Sequence, residues 1–272
     1  MMLPRMFGKK VGIVAMVLAL VLPVSQANAK TIEIVGTGDG VKVLNALGAA
    51  FAKSHPGMSI SVPESIGSNG GIAAVSKDEK VVARVARTLK GDEKVYGLTY
   101  LPFAKVPVVF FVNPTLDVKK LTSAQVCAIY AGKIVNWKEV GGPDAAIVVV
   151  TREAKDSSLG VLQKSLPGFK EVVVTGKALL VEKTPLMFNM VEEQPNAIGF
   201  GPSDVAINSR VREVAIDGRL SIFPDYPCIN TLAFVFKEKS RSGDLRAFLA
   251  YATSPAAAPV IRAAGGMPIT TP

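Results

Sequence analysis

Short apolar runs alternate along the chain with segments in which apolar residues recur every three or four positions. Apolar runs flanked by glycine and polar residues are typical of buried strands, and the longer periodic segments are typical of amphipathic helices. The pattern predicts strands at residues 31–35, 58–62, 81–85 and 147–150. Strands that alternate with helices in this way indicate an α/β fold with a parallel sheet.

The first predicted helix, residues 41–57, follows the glycine-rich turn GTGDG at residues 36–40. The face of this helix that we expect to be buried carries Val43, Leu44, Leu47 and Phe51. The GxGxG spacing is compatible with a dinucleotide site, but the acidic residue expected about 20 positions later is not clearly placed. A simpler interpretation is that the glycines allow backbone N–H groups to approach an anion.

A strand, a polar loop and a helix follow one another in residues 147–166. Asp156, Ser157 and Ser158 are N-cap candidates for the helix, and Arg152 precedes them. The first turn of a helix has unpaired N–H groups and a partial positive charge, and a guanidinium suits a tetrahedral oxyanion. The alternative is an ordinary strand-to-helix loop with a surface arginine.

Two further strand ends carry residues of the same kind. The strand at 58–62 is followed by SIGSNGG, which contains Ser68 and begins another helix. The strand at 81–85 is followed by Arg87 and Thr88. Ligands of open α/β sheets bind beyond the carboxyl ends of the strands, so these loops are candidates for a ligand site.

The amino terminus has the pattern of a secretory signal peptide. Three basic residues precede the apolar run VGIVAMVLALVLPV, and ANA at residues 27–29 is a small-x-small cleavage site. The run is shorter than the roughly 20 residues of a membrane-spanning helix. We therefore expect residues 1–29 to be removed, and a soluble, monomeric protein that begins at Lys30 to reach the periplasm.

The predicted mature chain has a moderate positive charge. Without the three basic residues of the signal segment, 28 lysines and arginines remain against 22 acidic residues, a formal charge of +6. The lysines are scattered and aromatic residues make up 7% of the chain, which argues against nucleic acid as a partner. The charge fits an anionic ligand, or solubility alone.

The chain has two cysteines, Cys127 and Cys228, and one histidine, His55. Because an exported chain meets an oxidising compartment, we predict a Cys127–Cys228 disulfide, with two buried thiols as the alternative. No group of cysteine and histidine residues in the sequence has the spacing of metal ligands, so neither a metal nor another cofactor is expected.

Residues 106–153 combine an apolar crossing strand, NP, LTSAQVCAIYAGKIVNW and GGPDA. With these motifs, and with SIGSNGGI, PNAIGFGPSD, YPCINTLAFVFKEK and GGMP elsewhere, the chain resembles the periplasmic phosphate-binding proteins of ABC transporters. The resemblance implies a two-lobed periplasmic binding protein fold of type II, in which each lobe is a mixed, mostly parallel sheet flanked by helices. Residues 30–107 and 226–272 would form lobe I, and residues 108–225 would form lobe II, with the ligand cleft between them.

The resemblance also implies a ligand shell, which consists of Gly38, Asp39, Gly40, Val41, Ser68, Arg87, Arg152, Ser157 and Ser158. The first of these loops contributes only backbone N–H groups, because Gly40 stands where the family has a threonine. The loop after Arg152 is one residue longer than in the family. Ser157 and Ser158 are therefore both candidates for its ligand hydroxyl.

Arg87 is the largest departure from the best-known phosphate binders, which have an aspartate near this position that accepts the ligand's proton. We expect Arg87 to face the cleft beside Arg152, which would hold a divalent oxyanion but distinguish its protonation states less sharply. The alternative is that Arg87 pairs with Glu64 or Glu93 at the rim.

The function implied by the resemblance is capture of phosphate or a similar tetrahedral oxyanion by hinge closure, for delivery to ABC permease subunits in the inner membrane. One alternative is a secreted interaction or sensor protein of the same fold with weak or no phosphate binding. A phosphatase is the other alternative. It would require a metal cluster or a nucleophile beside a base, and the sequence shows neither, so we do not expect an enzyme.

Overall fold

The computed structural model describes residues 30–241 and 243–269. The predicted signal peptide, residues 1–29, lies outside the described residues. Within residues 30–241 and 243–269, the structure has no helix that is both long enough and apolar enough to cross a lipid bilayer.

The secondary structure follows the predicted alternation of strands and helices. The strands are β1 (Lys30–Glu33), β2 (Val35–Gly36), β3 (Met58–Ser61), β4 (Val82–Val85), β5 (Leu98–Val112), β6 (Lys120–Leu121), β7 (Val148–Arg152), β8 (Leu179–Val181), β9 (Ala197–Pro202), β10 (Arg212–Ile216), β11 (Ile229–Lys237) and β12 (Met267–Pro268). The helices are α1 (Val41–Ser54), α2 (Gly67–Ser76), α3 (Ser123–Tyr130), α4 (Ser157–Ser165), α5 (Thr184–Glu193), α6 (Ser203–Ala206), α7 (Gly243–Ala252) and α8 (Ala258–Ala263). The predicted strand at residues 31–35 is interrupted at Ile34, which divides it into β1 and β2.

Strand β5 is fifteen residues long and belongs to both halves of the molecule. Its residues 98–107 pair with β11, and its residues 108–112 pair with β9. Strands β4 and β2 continue the sheet beyond β11, whereas β7 and β8 continue it beyond β9. One crossing strand therefore links two halves, which we call lobe I (the side of β11) and lobe II (the side of β9).

The sheet is mixed, as expected. Five strand pairings are parallel and five are antiparallel among the described strands. The antiparallel share is larger than expected because β5 runs against each of its partners, β9, β10, β11 and β12.

The hydrophobic core divides along the same line. One cluster, in lobe II, draws its fully buried members from residues 108–228. Lobe I has two clusters, one on each face of its sheet, because successive side chains of a strand point to opposite faces. In β11, for example, Leu232, Phe234 and Phe236 belong to one cluster, and Ala233 and Val235 belong to the other.

Helix α1 packs on the sheet of lobe I through the face that the sequence predicts. Val43, Leu44, Leu47 and Phe51 are fully buried. Burial of side chains of this size contributes roughly 1.5–3 kcal/mol each. This packing fixes the amino-terminal end of α1 at the boundary between the lobes.

The predicted disulfide is not formed in the structure, where Cys127 and Cys228 are both free thiols. The Cys127 sulfur lies on α3 and contacts the carbonyl oxygen of Pro167 at 3.5 Å. Cys228 is buried just before β11, where its own carbonyl accepts a hydrogen bond from the N–H of Val108. The alternative of two buried thiols is met in part, because Cys228 is buried whereas Cys127 is partly exposed.

Candidate functional site

A cavity of about 220 Å³ lies between the two lobes. Lobe I lines it with the loop before α1 and the first turn of α2, and lobe II lines it with the first turns of α4 and α5. Its lining includes Gly38, Ser68, Asn69, Arg152, Ser157 and Thr184. Three helices thus direct their amino-terminal ends to the same space.

Two of these helices lack a side-chain cap. Helix α2 begins after Ile66 and α5 begins after Lys183, and neither residue accepts a hydrogen bond from its helix. Helix α4 is capped by Asp156, which accepts a hydrogen bond from the N–H of Leu159 at 2.9 Å. In α2 the N–H of Gly67 donates to Ser65 Oγ at 3.2 Å, and in α5 Pro185 has no N–H, so each first turn leaves only part of its backbone donors available to an anion.

Arg152 supplies the buried positive charge of the cavity. The residue is 7% exposed, and its guanidinium forms an ion pair with Asp156 at 2.8 Å. Its Nη1 donates to Thr184 Oγ1 at 3.2 Å and its Nη2 donates to the carbonyl of Glu182 at 3.0 Å. The remaining donor, Nε, is buried without a hydrogen-bond partner. Because a buried donor without a partner is costly, Nε is a candidate contact for a ligand oxygen.

The two candidate serines of the α4 loop face different surroundings. Ser157 lines the cavity, and its hydroxyl lies 2.9 Å from that of Ser68, across the boundary between the lobes. Ser158 is 1% exposed and donates to Asp39 Oδ2 at 3.2 Å. The structure therefore brings Ser68, Arg152 and Ser157 together at the cavity and directs Ser158 away from it.

The loop before α1 contributes less to the cavity than expected. Gly38 lines it, whereas Gly40 and Val41 do not, because the first turn of α1 faces Asp204 of lobe II. The N–H of Lys42 donates to Asp204 Oδ2 at 3.2 Å. Gly40 and Val41 therefore lie outside this cavity, and the carboxylate of Asp204 accepts a backbone N–H at the first turn of α1.

Gly38 approaches lobe II closely. A Cβ atom at this position would lie 2.7 Å from the Cβ of Thr184, a distance that real Cβ contacts do not show. The glycine therefore permits the contact between the two lobes at the edge of the cavity.

Asp39 is buried behind the cavity, with 2% of its surface exposed. Its carboxylate accepts hydrogen bonds from Ser158, from Thr184 Oγ1 at 3.5 Å and from Asn230 Nδ2 at 2.8 Å. Burial, and then the nearby carboxylate of Asp156, raise the pKa of Asp39 to about 7. The predicted residue is therefore near the site, but its side chain bonds to the protein rather than lining the cavity.

Arg87 does not line the cavity, which corrects the expectation of a second guanidinium in the cleft. Both terminal nitrogens donate to Glu93, at 2.6 and 2.7 Å, and Nη2 also donates to Asn69. This hydrogen bonding, together with burial that opposes it, leaves the pKa of Glu93 below its ordinary value. The alternative partner named from the sequence, Glu93, is the one that the structure contains.

Several residues of the site were not predicted. Thr184, Asp204 and Asn230 lie far along the chain from the loops that they contact, and no local motif marks them. Arg84 lies within the apolar strand β4, and no motif marks it either. It is 2% exposed and donates to the main-chain carbonyls of Ile34, Thr37 and Pro63, which holds the loop before α1 in place.

Comparison with known proteins places the chain in a family. A sequence model described as the PBP superfamily domain matches residues 23–256, and the chain therefore belongs to the PBP superfamily. The mixed α/β architecture with two lobes is that of a type II binding protein.

Individual relatives agree with this assignment. The chain is 25% identical over 225 residues to the phosphate-binding protein PstS of Borreliella burgdorferi. The matched region covers 78% of each chain. It is 28% identical, with a TM-score of 0.80, to a phosphate ABC transporter substrate-binding protein from Clostridium perfringens with bound phosphate, over 89% of this chain and 100% of that one. An ABC-type phosphate transport receptor from Vibrio cholerae shares the fold, with a TM-score of 0.64 and 24% identity over 88% of this chain and 100% of that one.

Proposed function

We propose that the chain is the substrate-binding component of an ABC importer and that it captures phosphate or a similar tetrahedral oxyanion between its lobes. The observation that carries this proposal is the buried Arg152, whose Nε has no partner, beside the uncapped first turns of α2 and α5. The relative from Clostridium perfringens, which has bound phosphate, supports the same assignment.

The donor set fits an oxyanion. The hydroxyls of Ser68, Ser157 and Thr184 line the cavity together with Arg152. Hydroxyl, backbone N–H and guanidinium donors can each serve one oxygen of a tetrahedral anion. Lys155 and Lys183 also line the cavity, where together with Arg152 they balance the charges of Glu153, Asp156 and Glu182.

Capture would proceed by closure of the lobes. We assign residues 30–107 and 226–272 to lobe I and residues 108–225 to lobe II, with β5 and the segment entering β11 as the connections. An anion would first meet the donors of one lobe, and closure would bring those of the other onto its remaining oxygens. A ligand that contacts both lobes stabilises the closed form in preference to the open one.

Export and partners follow from the same proposal. A cleaved segment at residues 1–29 would direct the protein to the periplasm, where the closed form would dock on permease subunits in the inner membrane. The protein would act as a monomer that binds its ligand without turnover, and no cofactor or metal takes part.

Isothermal titration of the exported protein with inorganic phosphate, alongside an assay with a chromogenic phosphoester, tests the proposal. The expected result is saturable binding of one phosphate per chain without release of the chromophore. Turnover of the ester would point to a phosphatase instead. Absence of phosphate binding would contradict the proposal and favour an interaction or sensor protein.

A further inference from the structure

The carboxylate of Asp39 lies among donors of the kind that bind an anion. Its three hydrogen-bond donors, Ser158, Thr184 and Asn230, are all neutral. Ser158 and Thr184 belong to lobe II, whereas Asp39 and Asn230 belong to lobe I. A carboxylate of the protein itself therefore lies at the boundary between the lobes, next to the cavity proposed for a ligand.

The charges around Asp39 do not balance. The charge of Arg152 of β7 acts on Asp39, but this guanidinium is already paired with Asp156 at the start of α4. From α6, Asp204 adds a further buried carboxylate. Arg84 of β4 contacts the loop before α1, but its guanidinium nitrogens donate to main-chain carbonyls and not to the Asp39 carboxylate. Around Asp39 itself, carboxylates thus outnumber the cations that face it.

Thr184 connects Asp39 to the cavity. Its hydroxyl accepts a hydrogen bond from Arg152 Nη1 and donates one to Asp39 Oδ1. Thr184 and Arg152 both line the cavity, so a bound anion would draw on the same donors. Two anions that share donors in a buried site raise each other's affinity for a proton.

We propose, building on the oxyanion-binding function above, that an oxyanion enters the cavity together with one proton taken from the solvent, and that this proton binds to Asp39. Asp39 is then the residue that sets the charge of the complex. Burial and the charge of Asp156 raise the pKa of Asp39 to about 7. The negative charge of a bound dianion would raise this pKa further, into the alkaline range. Affinity should then fall as pH rises above 7, approaching tenfold per pH unit, because the proton must be supplied with the ligand.

Titration calorimetry with inorganic phosphate at pH 8.5, in buffers that differ in ionisation enthalpy, measures the protons taken up on binding. Phosphate is a dianion at this pH, so a proton taken up on binding lies either on the protein or on the bound phosphate, and the phosphorus NMR shift of the complex distinguishes the two. The wild type should take up close to one proton per phosphate. Asp39→Asn should bind phosphate with almost no uptake, and the matched variant Asp92→Asn, at an exposed aspartate, should behave as the wild type does.

The outcomes separate this inference from the function on which it rests. Phosphate binding by the wild type without proton uptake would overturn the role of Asp39 and leave the oxyanion-binding function intact. Equal uptake by the wild type and Asp39→Asn would do the same. A wild type that does not bind phosphate would overturn both. The wild-type measurement needs no variant, so the test stands even if Asp39→Asn does not fold.

Discussion

Ser68 and Ser157 meet across the cleft, with their hydroxyl oxygens 2.9 Å apart, although 89 residues separate them in the sequence. Ser68 lies in the first turn of α2 and Ser157 in the first turn of α4. The contact therefore joins helix ends from opposite lobes at the wall of the cavity. An oxyanion between these helices could accept a hydrogen bond from each hydroxyl.

Replacing these hydroxyls distinguishes the two serines of the α4 loop. Ser157→Ala should weaken phosphate binding by about 1.5–3 kcal/mol, the usual contribution of a hydrogen bond to a charged group. Ser158→Ala is the comparison variant, because its hydroxyl donates to Asp39 instead of lining the cavity and can affect phosphate binding only through that carboxylate. Calorimetry at pH 7 should give the larger loss for Ser157→Ala, and a larger loss for Ser158→Ala would reverse the assignment.

Enlarging Gly38 tests whether closure is needed for binding. The Cβ of Gly38→Ala would meet Thr184 at 2.7 Å, so the lobes should remain further apart and phosphate should bind more weakly. Gly176→Ala is the control, since a Cβ at Gly176 meets no atom within 4 Å. Small-angle X-ray scattering should show a larger radius of gyration for Gly38→Ala with phosphate present. Identical scattering and affinity for the two variants would show that this contact does not limit closure.

The buried carboxylates predict how stability depends on pH. Burial raises the pKa of Asp39 to about 7 and that of Asp204 to about 6, above the ordinary value near 3.8. At a pH between the ordinary and the raised pKa of each group, the folded chain holds a proton that the unfolded chain has lost. The free energy of unfolding should therefore fall as pH rises from about 4 to 7. The slope can reach about 1.4 kcal/mol per pH unit for each group.

Asp39→Asn should reduce this slope and raise stability at pH 8 relative to the wild type. Urea unfolding from pH 4.5 to 8, without phosphate, measures both quantities. An unchanged slope in the variant would indicate that Asp39 is ionised throughout that range in the folded protein.

The two thiols give a prediction about oxidation state. Denatured, unreduced protein should react with two equivalents of a thiol reagent, because Cys127 and Cys228 are both free. In the folded protein Cys127, which is partly exposed, should react first. Burial raises the pKa of the Cys228 thiol to about 12, which slows its reaction further. Finding no reactive thiol in the denatured chain would restore the disulfide.

The strands, the helices and part of the site could be predicted because their signals are local. The buried face of α1 follows from the spacing of Val43, Leu44, Leu47 and Phe51. Ser68, Arg152 and Ser157 could be identified because each lies where a strand ends or a helix begins. Such positions depend on neighbours within a few residues.

Contacts between the lobes could not be predicted in this way. Asp204 meets the start of α1 over a separation of 162 residues, and Thr184 meets Asp39 over 145. These pairs form only when both lobes are folded and adjacent. For Arg87 the partner is close in the sequence, because Glu93 is only six residues away. The sequence names this partner but does not decide whether Arg87 pairs with it or faces the cleft.

Arg152 should hold the bound anion, and Arg87 should take no part in binding it. Phosphate titrations should compare the wild type with Arg152→Met combined with Asp156→Asn, and with Arg87→Met combined with Glu93→Gln, so that neither variant leaves a buried carboxylate unpaired. Arg219→Met with Asp225→Asn removes an exposed ion pair of lobe II and serves as the control.

The Arg152 variant should bind phosphate at least about tenfold more weakly, which corresponds to about 1.4 kcal/mol, while the Arg87 variant should stay within about threefold of the wild type. An Arg152 variant that binds phosphate as tightly as the wild type, or an Arg87 variant that loses binding, would overturn this assignment of the two arginines.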